Sequence, residues 1–536
     1  MRSKPTKTGQ AADSRFGDLL NPITPEEWRR YWAGKSQKSA SGPSGTRPDM
    51  MKNTPDNLIE LLCGLYSACI NLTIVPESWR KAWVIPIPKQ AGAKELRMLR
   101  PLKLLEVTRK AVLGILKERI KEEVETLCLL SSIQNGFRTG RNTATAVMQL
   151  VMAYEHAAHL GRDLHVLGLD IRKAYDTVVK TIGIEAALRR FGIPMKAVEF
   201  LMEGERRSVN TVRSHWDGVL EEEGISFPFE AELGFTQGAA ESPLLWIIFY
   251  DMIICQLVKQ GVGSTVIAET GSAGCTTRGI LVFADDTWIL AESAERLQLE
   301  TDLVIGTFRA LGLTVAGTKS IHIPLMFDRS PLAPTGSTLL MEEELEAGRS
   351  KQVIIEGERV PYVEADVGTR CLGYHVDLQG DGGEQIAILR RKIDEFGAAI
   401  HHKRMSKRVA AYLWHTVLIP RIMFPLSVLR INRVDIENLE SRALRHILPK
   451  LGMNGTAARH LIGADWTAGG LGWTRWSTLV TMSKARLAME LAEHPDPYLR
   501  AVWNAMRYQL WIQEGALRPW LGRELDGKPQ RPTVHS

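Results

Sequence analysis

Nowhere in the 536 residues do two cysteines stand as CxxC, and no histidine lies where it would complete a zinc site with them. The six cysteines, Cys63, Cys69, Cys128, Cys255, Cys275 and Cys371, are scattered. That pattern argues against a disulfide framework and for reduced thiols in an intracellular compartment, nucleus or cytoplasm. The first twenty residues, MRSKPTKTGQAADSRFGDLL, lack the apolar block of a secretory signal. The longest apolar run, PLLWIIFYDMIICQLV from Pro243, is shorter than a membrane-spanning segment and is interrupted by Asp251, so a buried helix is expected and no membrane partner. Internal repeats are absent. Charge of one sign is scarcely in excess: 67 basic and 61 acidic residues leave +6, which suits a polyanionic partner without demanding one.

What is present is the material of a large globular core, with 44% hydrophobic and 24% charged residues. Residues 1–50 are polar and basic. Their Gly/Ser/Pro stretch KSQKSASGPSGTRPD cannot bury enough surface to order itself, and disorder is expected there. One short helix breaks that expectation: Thr24 caps it, Pro25 takes the first helical position and EEWRRYW follows. Thr54-Pro55-Asp56 repeats the start signal before NLIELLCGLYSACINL. AWVIPIPK then alternates as a strand does, and EVTRKAVLGILKERIKEEVETL has helical periodicity. Strand, helix and hairpin signals alternate to about residue 325, which predicts a mixed helix-and-sheet domain. FDRSPLAPTGSTLLMEEELEAGRS, within residues 326–370, is turn-rich and acidic, as an inserted loop would be. Helices dominate from residue 384, where Arg390, Arg391, Lys392, Lys403, Arg404, Lys407 and Arg408 crowd together.

The stretch LVFADDTWIL sets Asp285 and Asp286 side by side between apolar strand-forming residues. Adjacent carboxylates repel and resist desolvation, so they form an exposed turn or hold something cationic. Upstream, VLGL in HVLGLDIRKAYDTV is an apolar strand ending at Asp170. An Asp at a strand end facing an Asp-Asp hairpin is a common way to gather hard oxygen ligands for Mg²⁺. Two such ions can activate an attacking hydroxyl and stabilise the leaving oxygen in an in-line phosphoryl displacement.

With these residues the sequence resembles the reverse transcriptases, most closely those of non-LTR (LINE-type) retrotransposons. LDIRKAYD is similar to the family's first palm motif, GFTQGAAESPLLWIIFYDMI to its second, FADD to its third, LGLTVAGTKS to its fourth and CLGYHV to its fifth. VPESWRKAWVIPIPK, LRPLKLLEV and IQNGFRTGRNTATAV resemble its fingers segments. The similarity spans about residues 54–450. It implies an α+β right-hand polymerase fold, with fingers over 51–165, palm over 166–383, helical thumb over 384–450 and a mainly helical region over 451–536. Tryptophans 466, 473, 476, 503, 511 and 520 of that last region are expected to serve mostly as core, with stacking on nucleic acid as the other use.

The resemblance further implies Asp170, Asp285 and Asp286 as metal-binding carboxylates, with Asp285 the foremost ligand, for two Mg²⁺ ions or Mn²⁺ in their place. Lys319 would be a proton donor to pyrophosphate. Tyr175 would crowd the sugar 2′ position, Gln237 and Gly238 would lie beside the nascent base pair, and Lys89 and Arg100 would grip the incoming triphosphate. Gly373 and Tyr374 would form the tip of a hairpin that positions the primer terminus, while Asp176 is expected to be structural. The implied activity is RNA-directed DNA synthesis from dNTPs, on an RNA template, from a DNA primer or nicked target DNA. Two alternatives stand beside it: a catalytically inactive RNA-binding scaffold, disfavoured because all three aspartates are present, and an RNA-dependent RNA polymerase, disfavoured by FADD and Tyr175. No endonuclease signature, C-terminal Cys/His knuckle or RNase H constellation is recognisable, so autonomous target-primed integration is not expected of these residues alone.

Overall fold

The computed structural model describes residues 15–504, apart from nine single positions and the stretches 90–94, 96–97, 214–224, 264–265, 270–274, 327–352, 365–366, 377–381, 497–498 and 501–502. Most of the expected inserted loop therefore lies outside the described residues, as do Trp511 and Trp520. The strands run Lys81–Pro88 (β1), Leu99–Leu105 (β2), Leu164–Leu169 (β3), Val209–Val212 (β4), Phe229–Glu230 (β5), Val266–Glu269 (β6), Cys275–Thr277 (β7), Ile280–Phe283 (β8), Asp286–Ala291 (β9), Ile321–Leu325 (β10), Ile354–Ile355 (β11), Glu358–Arg359 (β12), Thr369–Cys371 (β13) and Tyr374–Val376 (β14). Two compact units emerge, one of residues 1–139, 171–260 and 303–315, the other of 140–170, 261–302 and 316–536. They cut across the boundaries expected at 51, 166 and 384, because long-range packing, which no local pattern records, decides which segments cohere.

In the first unit a four-stranded sheet runs in the order β2-β1-β4-β5, with β1 and β2 an antiparallel hairpin and β1 and β4 parallel. The helix Val107–Thr126 supplies much of the core through Ala111, Val112, Leu116, Ile120 and Val124. The helix Ser242–Lys259 is apolar nearly all round and is buried, from Leu244 to Leu257. Its Asp251 is fully buried but satisfied, accepting from Arg190 at 2.8 Å and from the Ser131 amide at 2.5 Å.

Residues 15–50 are not the disordered arm that their composition predicts. The short helix forms as expected over Pro25–Ala33, with Thr24 and Glu27 in a reciprocal capping box. What composition misses is that five of its apolar residues, Phe16, Leu19, Ile23, Trp28 and Trp32, are buried. Trp28 stacks on Tyr66 at 5.9 Å, and Tyr66 leans on Trp79 at 5.3 Å. Arg119 clamps the segment, donating to the carbonyls of Leu19, Asn21 and Pro22 and to both carboxylate oxygens of Glu27. Further on, Ser44 donates through its amide and hydroxyl to Glu106 at 2.7 and 2.6 Å. A polar majority sets the average composition, but a minority at the right positions makes the core.

The second unit holds an antiparallel sheet in the order β10-β3-β9-β8. One face packs Val166, Leu281, Trp288, Leu290, Ile323 and Leu325 with residues of the helices Thr143–Leu160 and Trp476–Ala492 and of the hairpin β13–β14. A second core joins the helices Gly383–His401 and Arg433–Ile447 to the helical run 407–426. Trp414 stacks on Trp473 at 5.1 Å and packs on Trp476, so those two C-terminal tryptophans are core. Arg390, Arg391, Lys403, Arg404, Lys407 and Arg408 are exposed around it, and Lys392 is half-buried.

Candidate active site

In the second unit, β3 and β9 are paired as far as Leu169 with Thr287. One further step puts Asp170 opposite Asp286, and directly opposed residues of antiparallel strands share a sheet face. Gly168 and Trp288 lie on that face too. A Cβ at Gly168 would come within 2.8 Å of the indole, so only glycine lets Trp288 lie under the carboxylates. Asp285 sits in the two-residue turn between β8 and β9, in which Phe283 pairs with Asp286. The first turn position, Ala284, has φ +59°, which the hairpin requires and which glycine adopts more cheaply, so the turn carries strain where the aspartates are. The Asp170 amide donates to Ser320 Oγ at 3.2 Å, and its carbonyl accepts from the Ala316 amide at 2.8 Å. Those bonds tie the end of β3 to the turn Gly317–Lys319, in which Lys319 is exposed.

Asp285 and Asp286 both feel the charge of Asp170. Burial raises the Asp285 pKa, with Asp170 adding to the rise and a hydrogen bond from its own backbone opposing it. Asp286 is pushed up to about 6 by desolvation, then by Asp285 and Asp170, against the pull of Arg370. Part of its surface remains open to water. Such a concentration of like charge is what a cation relieves, and carboxylate oxygens are the donors that Mg²⁺ prefers. Among the described residues, no three His, Cys, Asp or Glu side chains already close on one point. The donor chemistry of Asp170, Asp285 and Asp286 fits the ion all the same, in the manner of sites where a few carboxylates leave much of the shell to substrate phosphates and water.

The hairpin β13–β14 shares the core on that sheet face through Cys371, Tyr374 and Val376. Leu372 and Gly373 form its apex, both at positive φ (+50° and +88°), as a type I′ turn demands. The expected tip is thus corrected by one residue. Gly373 is exposed, but Tyr374 begins β14, buried, with its ring 4.4 Å from that of Phe424. Arg370, which acts on Asp286, has no cue in the sequence beyond its place just before CLGYHV.

The remaining candidates lie in the first unit. Lys89 and Arg100 stand at the loop end of the β1–β2 hairpin, where the Lys89 amide donates to Met98 O at 2.9 Å. Arg100 pairs with Ile87, so strand alternation puts it on the same face as Lys89, and both are exposed. Tyr175 is half-buried and stacks on Trp246 at 4.5 Å, with Phe235 edge-on at 5.9 Å. Gln237 Nε2 donates to Asp176 Oδ1 at 2.7 Å, and its carbonyl accepts from the Lys103 amide at 2.9 Å. Gly238 has φ +102°, and a Cβ there would lie 2.6 Å from Lys103 O, so the close approach that its glycine permits is to β2.

Two features of this unit escaped sequence reasoning. Lys103, one step out of phase with Arg100 along β2, is half-buried; desolvation lowers it to about 8, although Glu205 and Asp176 favour its charge. Behind it lies a buried ion network. Arg109 meets Glu205 at 2.8 Å and Glu241 at 3.7 Å, Thr236 donates to Glu205 at 2.6 Å, and Lys180 lies 3.9 Å from it. Burial alone would raise Glu205, but Arg109, Lys180 and Thr236 together hold it below the usual carboxylate range. Glu241, less well served, is pushed up to about 7 by burial.

Residues 87–346 match the family described as reverse transcriptase (RNA-dependent DNA polymerase). The Pol polyprotein of the type-1 retrotransposable element R2 from Nasonia vitripennis is 26% identical over 310 residues, which are 58% of this chain and 28% of that protein. An R2 polyprotein from Popillia japonica is 26% identical over 46% of this chain and 33% of its own length. The probable RNA-directed DNA polymerase from transposon BS of Drosophila melanogaster is 24% identical over 44% of this chain and 25% of that protein. The chain thus spans no more than about a third of the relatives it matches.

Proposed function

We propose, on the premise that residues 87–346 belong to the reverse transcriptases of non-LTR retrotransposons, that this chain is an RNA-directed DNA polymerase extending a primer 3′-hydroxyl with dNTPs. The observation that carries the reading is the adjacency of Asp170 and Asp286 at opposed strand ends, with Asp285 in the adjoining turn and the charge of Asp170 acting on both of the others. Divalent ions bound there would lower the barrier by activating the attacking hydroxyl and stabilising the leaving oxygen. The chain's own residues do the rest. Asp170 and Asp286 would hold the ions from adjacent strands, and Asp285 from the turn between β8 and β9. Lys89 and Arg100 supply cations for a triphosphate, a point charge and a fork respectively. Lys319 is a proton source for departing pyrophosphate, and Tyr175 limits space at the sugar 2′ position. An RNA template and a DNA primer or nicked target are the partners that this chemistry requires, with the exposed basic surface of 390–408 on backbone phosphates.

Primer extension by the purified protein on an RNA template with Mg²⁺ tests the reading. The wild type should incorporate dNTPs well above rNTPs, and Asp285→Asn should reduce incorporation by at least about 100-fold, the scale of losing a charge-stabilising group. RNA binding without incorporation, or equal product from Asp285→Asn, would reject it.

A further inference from the structure

We infer that the helix Asp56–Asn71 is an interaction surface whose occupant is the same helix of a second copy of this chain, packed antiparallel about a two-fold axis. The inference goes beyond the polymerase reading and does not rest on it. The helix has two apolar faces. One, with Ile59, Cys63, Tyr66 and Ile70, is buried in the first unit. On the other, Leu58, Leu61, Leu65 and Ala68, with Leu72 at the C-cap, recur at alternating steps of three and four, the spacing of a coiled-coil seam, and all five face solvent. Leu61 and Leu72 are each 67% exposed, and Leu65 is 54% exposed. Ile74, also exposed, prolongs the stripe, because its amide donates to Cys69 O at 2.9 Å and so folds it back on the helix end.

Single exposed leucines are ordinary, but a continuous stripe of them is not. At these exposures Leu58, Leu61, Leu65, Leu72 and Ile74 present on the order of 500 Å² along about 21 Å of helix, the upper end of what a soluble monomer carries in one patch. Asn57, Gly64, Ala68 and Asn71, exposed beside them, bring the face towards the roughly 800 Å² per partner of a standard interface. Gly64 is a second sign. Glycine weakens a helix interior, and nothing in the fold requires this one, since a Cβ there would meet no described atom within 4 Å. A second helix packing on this face would require it, because small residues at a helix contact let the axes draw together. Ala68 stands one turn further on the same side.

The identity of the occupant follows from the symmetry of the stripe. A two-fold interface needs a patch that is complementary to itself. Reversing the helix about a point between Tyr66 and Ser67 sets Leu65 opposite Ala68, Leu61 opposite Leu72 and Leu58 beside Ile74, so the stripe fits its own reverse with the smallest contact at the centre. Charge agrees with this pairing. Leu61 to Pro76 include no charged residue, so neither copy brings a like charge against the other, and Glu60 falls opposite the neutral Thr73. Antiparallel packing also sets helix ends of opposite dipole side by side. A partner selected by charge would find nothing on this face to read.

Sedimentation velocity of the nuclease-treated full chain at high salt tests the inference, because salt dissolves assemblies bridged by nucleic acid and spares apolar contacts. The wild type should show a monomer–dimer equilibrium in the micromolar range. Leu61→Glu with Leu65→Glu should weaken it at least about 100-fold, with the unfolding temperature unchanged, since both positions are exposed. Gly64→Leu should weaken it at least about 10-fold by holding the helices apart. At low salt, a mixture of the single variants Leu65→Glu and Leu65→Lys should form a heterodimer that neither forms alone, because residue 65 lies near the axis. A wild type that stays monomeric throughout that range, or a dimer that the seam variants leave intact, would overturn the inference, whatever the chain does in primer extension. Should the glutamate variants fail to fold, Gly64→Leu decides, since its side chain meets nothing within the described fold and can disturb only what packs from outside.

Discussion

Glu241 bears the highest cost of any carboxylate near the TQG segment. It stands immediately before the helix Ser242–Lys259, fully buried, with Arg109 only at 3.7 Å and no hydrogen bond from a described residue on either carboxylate oxygen. The charges that act on it are Arg109 and Lys110, which favour ionisation, and Glu205, which opposes it. Its pKa rises from 4.5 to about 7, burial being the largest cause. The folded state therefore holds a proton that the unfolded chain releases between those values. The stabilisation this brings is complete below about pH 4.5 and is lost as pH rises through about 7. At 1.36 kcal/mol per unit the loss is about 3 kcal/mol. Glu241→Gln should accordingly raise the unfolding temperature at pH 8 and change it little at pH 5. Equal shifts at both pH values would mean that the side chain does not titrate in this window. The sequence could not have singled out Glu241, because a Glu at a helix start reads as ordinary dipole complementation. Only the packing around it turns it into a liability.

Among the elements, local signals were read well and partnerships poorly. The capping box at Thr24 and Glu27, the strand ending at Asp170, the hairpin of FADD and the helices after 384 all follow from residue type and spacing over a few positions. Gly168 under Trp288 could not be read that way, since the two glycine and indole positions meet only through the β3–β9 register. Nor could the burial of Phe16, Leu19, Ile23, Trp28 and Trp32, which depends on a partner about a hundred positions away. Arg119 is that partner, and it offers a test at this scale. Arg119→Ala removes the bonds to three carbonyls and leaves Glu27, which Arg119 helps to hold below the usual carboxylate range, without its cation. Breaking a partly buried, multiply bonded ion pair costs roughly 2–3 kcal/mol. Chemical denaturation should register that loss, with a red shift of tryptophan emission as Trp28 and Trp32 meet water and faster proteolysis near residue 20. A disordered arm, by contrast, would give no change in any of the three measurements.

For the molecule as a whole, the order of several weak motifs was legible where the compact units were not. Motif order is written along the chain; cohesion of 140–170 with 316–536 is written only in contacts. Net charge is the other global quantity, and +6 over 536 residues decides little, because 61 acids dilute 67 bases. Placement matters more than the sum. Arg390, Arg391, Lys403, Arg404, Lys407 and Arg408 all face solvent on a helical unit with its own core, and among the described residues Arg390 alone of these six lies within ion-pair distance of an acid, Asp435 at a loose 4.0 Å. Cations arranged in this way are either a solvated face or a set of phosphate contacts, and salt separates the two. Each phosphate neutralised on a duplex contributes about 0.9 to the slope of log affinity against log salt concentration, through counterion release. Replacing Lys403, Arg404 and Lys407 together by alanine should weaken binding of an RNA–DNA primer–template and flatten that slope by about 2–3, with stability unchanged, because the three side chains are exposed. Fluorescence anisotropy titrations across a salt series would read the slope directly. An unaltered slope would return the run to the role of solvated surface and move the search for backbone contacts elsewhere on the chain.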